Sequence, residues 1–208
     1  METYEISLKE RIESAYKLAD EGRLDEAVQS LTKTLRDRPG SGPVSSSLCR
    51  LYIRKESGEI PKEVILNGLN HDPSLGRELI DFASRLFEGN ALRESNSILE
   101  ALVWNNPDNH EAWNDLGAVR FAMNDWVTAE KAFEQALALQ PGYGETILNL
   151  TAIYLQTARP DQALEMARRA LDERCDAERE MMVQLAGLIG EVDSQEAAAL
   201  LRASGDPS

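Results

Sequence analysis

The sequence predicts an all-α chain, an α-solenoid of stacked antiparallel helical hairpins, and three observations lead there. Prolines stand at positions 39, 73, 107 and 141, one every 34 residues, a period that marks repeat architectures. In the clearest period, 110–143, two apolar-periodic stretches are separated near Asn124-Asp125 and ended by Pro141, which reads as helix, turn, helix. The stretches carry complementary faces: Trp113, Leu116, Gly117 and Arg120 line one side of the first, and Ala129, Phe133, Ala136 and Leu137 one side of the second. Small members let two backbones approach while large ones fill the neighbouring gap. One such hairpin cannot bury its apolar face alone, so successive hairpins must share it.

This unit resembles the tetratricopeptide repeat (TPR) family, whose Trp, Leu-Gly, Ala, Phe, Ala, Pro pattern is matched by Trp113, Leu116-Gly117, Ala129, Phe133, Ala136 and Pro141, with Arg120 where the family has Tyr. The resemblance implies a right-handed superhelix, and the same phase divides the whole chain. Residues 1–7 form an N-terminal arm, with Tyr4 and Ile6 as its apolar members. Repeat 8–41 keeps Ala15, Leu18, Gly22, Ala27, Leu31 and Pro39. Repeat 42–75 keeps Leu48, Cys49, Tyr52, Ile65, Gly68 and Pro73, and Pro61, tolerated only in a first turn, delays its second helix to near Ile60. Repeat 76–109 keeps Phe82-Ala83, Leu86, Leu99 and Pro107, but Ser95 and Leu102 at the two alanine positions predict a looser hairpin. Repeat 144–177 keeps Leu150, Tyr154, Ala163 and Ala170, with Thr151 for the Gly and Cys175 for the Pro. Residues 178–204 supply a partial, capping hairpin with Ala197 and Leu201 in phase, and 205–208 a polar tail.

Composition narrows the function classes. Apolar residues make up 42% and charged residues 28% of 208, a folded globular mix. A net charge of −14 repels phosphate backbones and anionic lipid, so neither nucleic acid nor direct membrane insertion is expected. The start, METYEISLKERIESAYKLAD, interleaves charge with every apolar residue and carries no export signal, so a cytoplasmic location is expected. Cys49 and Cys175 stand 126 residues apart, read as free thiols, and offer no metal-type spacing. His71 and His110 fall in separate inter-repeat turns; Asp25-Glu26 and Asp172-Glu173 sit at helix ends, where they complement dipoles. With no metal, phosphate or nucleophile motif, the expectation is a chain without catalysis, cofactor or metal.

The family resemblance implies that the first helix of each repeat lines a concave face. Beside its core stripe that helix carries a second one: Ile12, Tyr16, Ala19; Ser46, Arg50, Ile53; Ile80, Ser84, Phe87; Asn114, Ala118, Phe121; and Leu148, Ala152, Leu155. The last members recur every 34 residues, as a groove floor would. The alternative is that they pack beneath the adjacent helix. Beside them Arg50, Arg54 and Arg77 lie toward the second and third repeats, while Asp81, Glu111, Asp115 and Glu145 occupy the third to fifth. The expected partner-binding groove is therefore Arg50, Ile53, Arg54, Arg77, Ile80, Ser84, Phe87, Asn114, Ala118, Phe121, Leu148, Asn149, Ala152 and Leu155. Chaperone-binding family members grip a terminal carboxylate with a set of Lys, Asn and Arg side chains that this chain lacks, and the asparagine ladder of the sugar-transferase branch is represented only by Asn149. Trp104, next to core-facing Val103, is a candidate for a second contact on the outer side, and Met181-Met182 for a soft apolar patch. The reading is a protein interaction scaffold or adaptor that binds a short, partly apolar segment of another protein. A self-assembling homo-oligomer, or a chaperone for a secreted client, stands as the alternative.

Overall fold

The computed structural model describes residues 2–171, 179–190 and 192–204. Cys175, the Asp172-Glu173 pair, the end of the fifth repeat and the tail 205–208 lie outside the described residues. Among those described, twelve helices and no strand occur: α1 Glu2–Asp20, α2 Leu24–Asp37, α3 Gly42–Arg54, α4 Lys62–His71, α5 Leu75–Glu88, α6 Leu92–Asn105, α7 His110–Ala122, α8 Trp126–Leu139, α9 Gly144–Gln156, α10 Pro160–Ala170, α11 Arg179–Ile189 and α12 Ser194–Ser204. Residues 2–7, expected as an arm, are the opening turns of α1. Pro61 is the N-cap of α4, so the second helix of that hairpin starts later than Ile60. No helix of the described residues is long and apolar enough to cross a membrane.

The helices pair as six consecutive hairpins and group into two compact units, Met1–Pro107 and Asp108–Ser208. In the first unit α3 packs on α1, α2, α4 and α5, and α6 packs on α4 and α5. Ala15, Ala27, Leu31, Leu48, Leu51, Ile65, Leu79 and Phe82 are sealed there. In the second, α9 contacts α7, α8, α10 and α11, and α12 closes on α10 and α11. Its core runs through Ala129, Phe133, Ile147, Leu150, Ile153, Ala163, Ala167, Leu185, Ile189 and Leu200. Each is an in-phase residue of its hairpin, so a shared apolar face, not helix propensity, holds the helices in place.

Two local constraints set the phase. A Cβ on Gly117 would lie 2.6 Å from the Phe133 ring, so the Leu-Gly position must be Gly where Phe faces it. In the third hairpin Ala83 takes that position, and buried Ser95 donates from Oγ to its carbonyl oxygen at 2.8 Å. Ser95, out of place by the alanine pattern, thus makes a buried tie between the two helices of that hairpin. The second constraint is the turn. Gly22, Glu56, Asn90, Asn124 and Ala158, spaced by 34 residues, all have positive φ, at 81°, 55°, 61°, 62° and 57°. After each, the next amide reaches back five residues: Arg23 to Leu18 O at 2.9 Å, Ser57 to Tyr52 at 3.0 Å, Ala91 to Leu86 at 2.8 Å, Asp125 to Arg120 at 2.9 Å and Arg159 to Tyr154 at 2.7 Å. This is a Schellman cap repeated five times, and it fixes the exit angle of the first helix in each of the first five hairpins.

Left-handed backbone strains Glu56 and Ala158 but not Gly22. Glu56→Gly and Ala158→Gly are each expected to raise unfolding free energy by about 1 kcal/mol, read from urea denaturation followed by circular dichroism. Gly117→Ala is expected to lower it by about 1–3 kcal/mol through the Phe133 clash. A neutral Gly117→Ala would contradict the packing described.

Candidate partner-binding face

In the first unit, the arginines expected to meet a partner are engaged within the chain. Arg50 on α3 donates from Nε and Nη2 to Glu78 on α5 at 3.0 and 2.9 Å, and from Nη2 to Asp72 at 2.7 Å. Arg54 pairs with Asp20 of α1 at 2.7 Å, Lys55 with Asp25 at 2.7 Å, and Arg77 with Asp81 at 3.3 Å. Salt bridges thus tie α1 to α3 and α3 to α5. Ile80 is buried, at 8% exposure, and leaves the surface because α5 turns it into the core. Ser84 is half-buried and donates to Ile80 O at 3.1 Å. Ile53 is half-buried and Phe87 is 37% exposed.

In the second unit the stripe is more apolar. Ala118, Phe121, Leu148 and Leu155 pack against the core while staying partly exposed, and Ala152 is half-buried. Asn114 is completely buried, contrary to its expected place on the face. It lies between α7 and α9, where its Oδ1 accepts from Thr146 Oγ1 at 2.9 Å and from half-buried Asn149 Nδ2 at 3.1 Å, while its own Nδ2 has no partner. The side chain is a polar rivet between two first helices. Of the 34-residue ladder, Ala19 is sealed at 1% exposure, whereas Ile53, Phe87, Phe121 and Leu155 are not.

At the N-terminal end of the second unit's stripe, the Tyr143 hydroxyl donates to Glu145 Oε2 at 3.0 Å, and the ring meets His110 edge to face with centroids 4.9 Å apart. Burial pushes the Tyr143 phenol up, and the charges of Glu145, Asp115 and Glu111 add to the rise. Away from the stripe, Arg159 grips Glu130 with two bonds of 2.8 and 2.6 Å. Trp104 is 72% exposed beneath Lys62, whose Nζ lies 5.3 Å from the ring centroid. The Cys49 thiol is buried and pushed up to about 12 by that burial, the profile of a packing residue rather than a nucleophile. Among the described residues no group of three or more His, Cys, Asp and Glu side chains is placed to hold a metal ion.

The inter-helix charges were recoverable once the period was known. Arg50–Glu78 and Arg168–Glu196 stand 28 residues apart and Arg159–Glu130 stands 29 apart, the separation that brings one hairpin's end to its neighbour. Asp72 ties this network to pH. Bonds from Ser74 and Arg50 hold its carboxyl at about 2, below the ordinary 3.8. A lowered folded value means the stabilisation is complete above the unfolded pKa and is lost as pH falls through the folded one. The thermal midpoint of the wild type is therefore expected to drop from pH 3.8 toward about 2, and Asp72→Asn to show a shallower drop over that window. Equal acid limbs would contradict the role given to Asp72.

Comparison with known proteins agrees with the helical-hairpin fold. The tetratricopeptide repeat profile matches residues 108–172. Protein O-mannosyl-transferase TMTC1 of Homo sapiens is 27% identical over 139 residues, which is 63% of this chain but 15% of that protein. The chain thus spans about 15% of the length of that relative. PilF of Pseudomonas aeruginosa superposes with a TM-score of 0.52 at 17% identity, covering 96% of this chain and 92% of PilF. PilW, described as a type IV pilus biogenesis factor, superposes at 0.53 and 14% identity, covering 96% and 94%. These two likenesses concern the fold. Residues 108–172 thus match the tetratricopeptide repeat model, and the 34-residue period carries the same spacing through the residues before them.

Proposed function

We propose that the chain is a non-catalytic scaffold that captures a short, partly apolar segment of another protein on the stripes of its first helices. The observation that carries this reading is the incomplete closure of the ladder. Ile53, Phe87, Phe121 and Leu155 stay partly open to solvent, although each stands in register with sealed Ala19. Large apolar side chains held open on rigid helices are preorganised contact points, and ordering costs fall when one partner is already fixed. Covering the two that one unit carries, with their apolar neighbours, contributes about 1.5–3 kcal/mol each before association costs, which fits a dissociation constant on the order of micromolar.

The absence of a catalytic constellation is part of the proposal, and the transferase activity in the human relative's name belongs to a protein far longer than this chain. Affinity purification of the intact chain from its own cells, run beside Phe87→Ser and Phe121→Ser, tests the reading. The dominant partner is expected to be retained by the wild type and reduced at least tenfold by one or both variants, with helicity preserved. Undiminished capture by both folded variants would remove the stripe as the binding face.

A further inference from the structure

The two units carry different charge. Residues 1–107 hold 18 Asp and Glu against 14 Lys and Arg, a net −4, whereas residues 108–208 hold 18 against 8, a net −10. The difference reaches the stripes. In the first unit guanidinium and carboxylate groups on α1, α3 and α5 cancel through Arg54–Asp20, Arg50–Glu78 and Arg77–Asp81. In the second, α7 and α9 together bring three carboxylates, Glu111, Asp115 and Glu145, and the single cation Arg120; α9 has neither Lys nor Arg.

Helical spacing puts these carboxylates beside the apolar stripe. Glu111 stands seven and ten residues before Ala118 and Phe121, and Glu145 stands three, seven and ten before Leu148, Ala152 and Leu155, so each opens the stripe of its own helix. Asp115 lies one turn further along α7. Tyr143 stands among them: its hydroxyl donates to Glu145 Oε2 at 3.0 Å, and the charges of Asp115 and Glu111 add to the upward shift that burial gives its phenol. Whatever local pairs Glu111 and Asp115 make, the surplus on the two helices is negative. Acidic residues in a first turn also complement the helix dipole, which accounts for one Glu on each helix but not for Asp115.

We propose that the first-helix face of the second unit docks a partner segment that carries lysine or arginine beside its apolar side chains. The proposal rests on the scaffold reading and adds to it the chemistry of the occupant. A cationic side chain placed at the stripe's N-terminal end would be drawn to the negative surplus of the two helices, and an acidic segment would be repelled by it. Like charge set against like charge discriminates between partners more strongly than it changes affinity for the correct one.

The test is selection of a displayed library of random 12-residue peptides against the full chain, followed by binding measurements on the enriched peptides. The affinities are taken with the wild type, with Glu111→Gln/Asp115→Asn/Glu145→Gln, and with a control of equal charge change on the exposed parts of α8 and α10, Glu134→Gln/Asp161→Asn/Glu165→Gln. Enrichment of peptides pairing Lys or Arg with aliphatic or aromatic residues is expected, with affinity at least tenfold weaker in the first triple variant, near wild type in the control, and falling with added salt. Thermal unfolding of both triples separates a dipole role, which moves the melting point alone, from a docking role, which moves affinity. Enrichment of acidic or uncharged peptides, or equal losses in both triples, would overturn the charge assignment while leaving apolar capture standing. No enrichment at all would overturn both.

Discussion

The structure depends on a constraint that acts between neighbours: a two-helix hairpin whose apolar residues recur on one face of each helix has nowhere to bury them except against the next hairpin. Within each unit every other feature serves that contact. Gly117 is a glycine because Phe133 needs its space, and Ser95 is sealed because it bonds Ala83. The left-handed residue at the end of each of five first helices holds the two helices at an angle that keeps the shared face aligned. A change in any one of these alters the phase of its neighbours as well as its own hairpin.

The same constraint explains what the sequence made legible. A shared face demands small residues at fixed places and a break at a fixed length, and Ala, Gly and Pro leave an unambiguous trace of that. The helix pairing, the period and most core residues were therefore readable. The turns were not. Glu56 and Ala158 occupy a backbone region that Gly and Asn favour, so their identities gave no warning, and only the 34-residue alignment with Gly22, Asn90 and Asn124 reveals the position. Burial was legible by stripe but not by residue. Helical spacing puts Ile80 and Asn114 on the open stripe, yet both are enclosed, the second because Thr146 and Asn149 draw its carbonyl oxygen between two helices.

Charge shows the opposite pattern. Its segregation along the chain was readable by counting, but what each charge does was not, because the partner of Arg50 is 28 residues away and that of Arg54 is 34 away. Geometry turns a basic patch in the first unit into a set of internal ties. In the second unit the acidic surplus of α7 and α9 stands toward the N-terminal end of the stripe, where the proposal has a partner's charge sensed. On the proposed reading, fold and recognition use different residues: the shared core stripes make the stack, and those members of the second stripe that stay partly open, such as Phe87 and Phe121, are left for contact.

That division of labour is open to one direct measurement. A photo-crosslinking amino acid placed at Phe121, on the first-helix stripe, is compared in cells with the same group at Val127, which is 66% exposed on α8. The account expects partner adducts from position 121 and none from position 127, although the second site is the more accessible to solvent. Adducts from position 127 alone would contradict it and move recognition to the second helices.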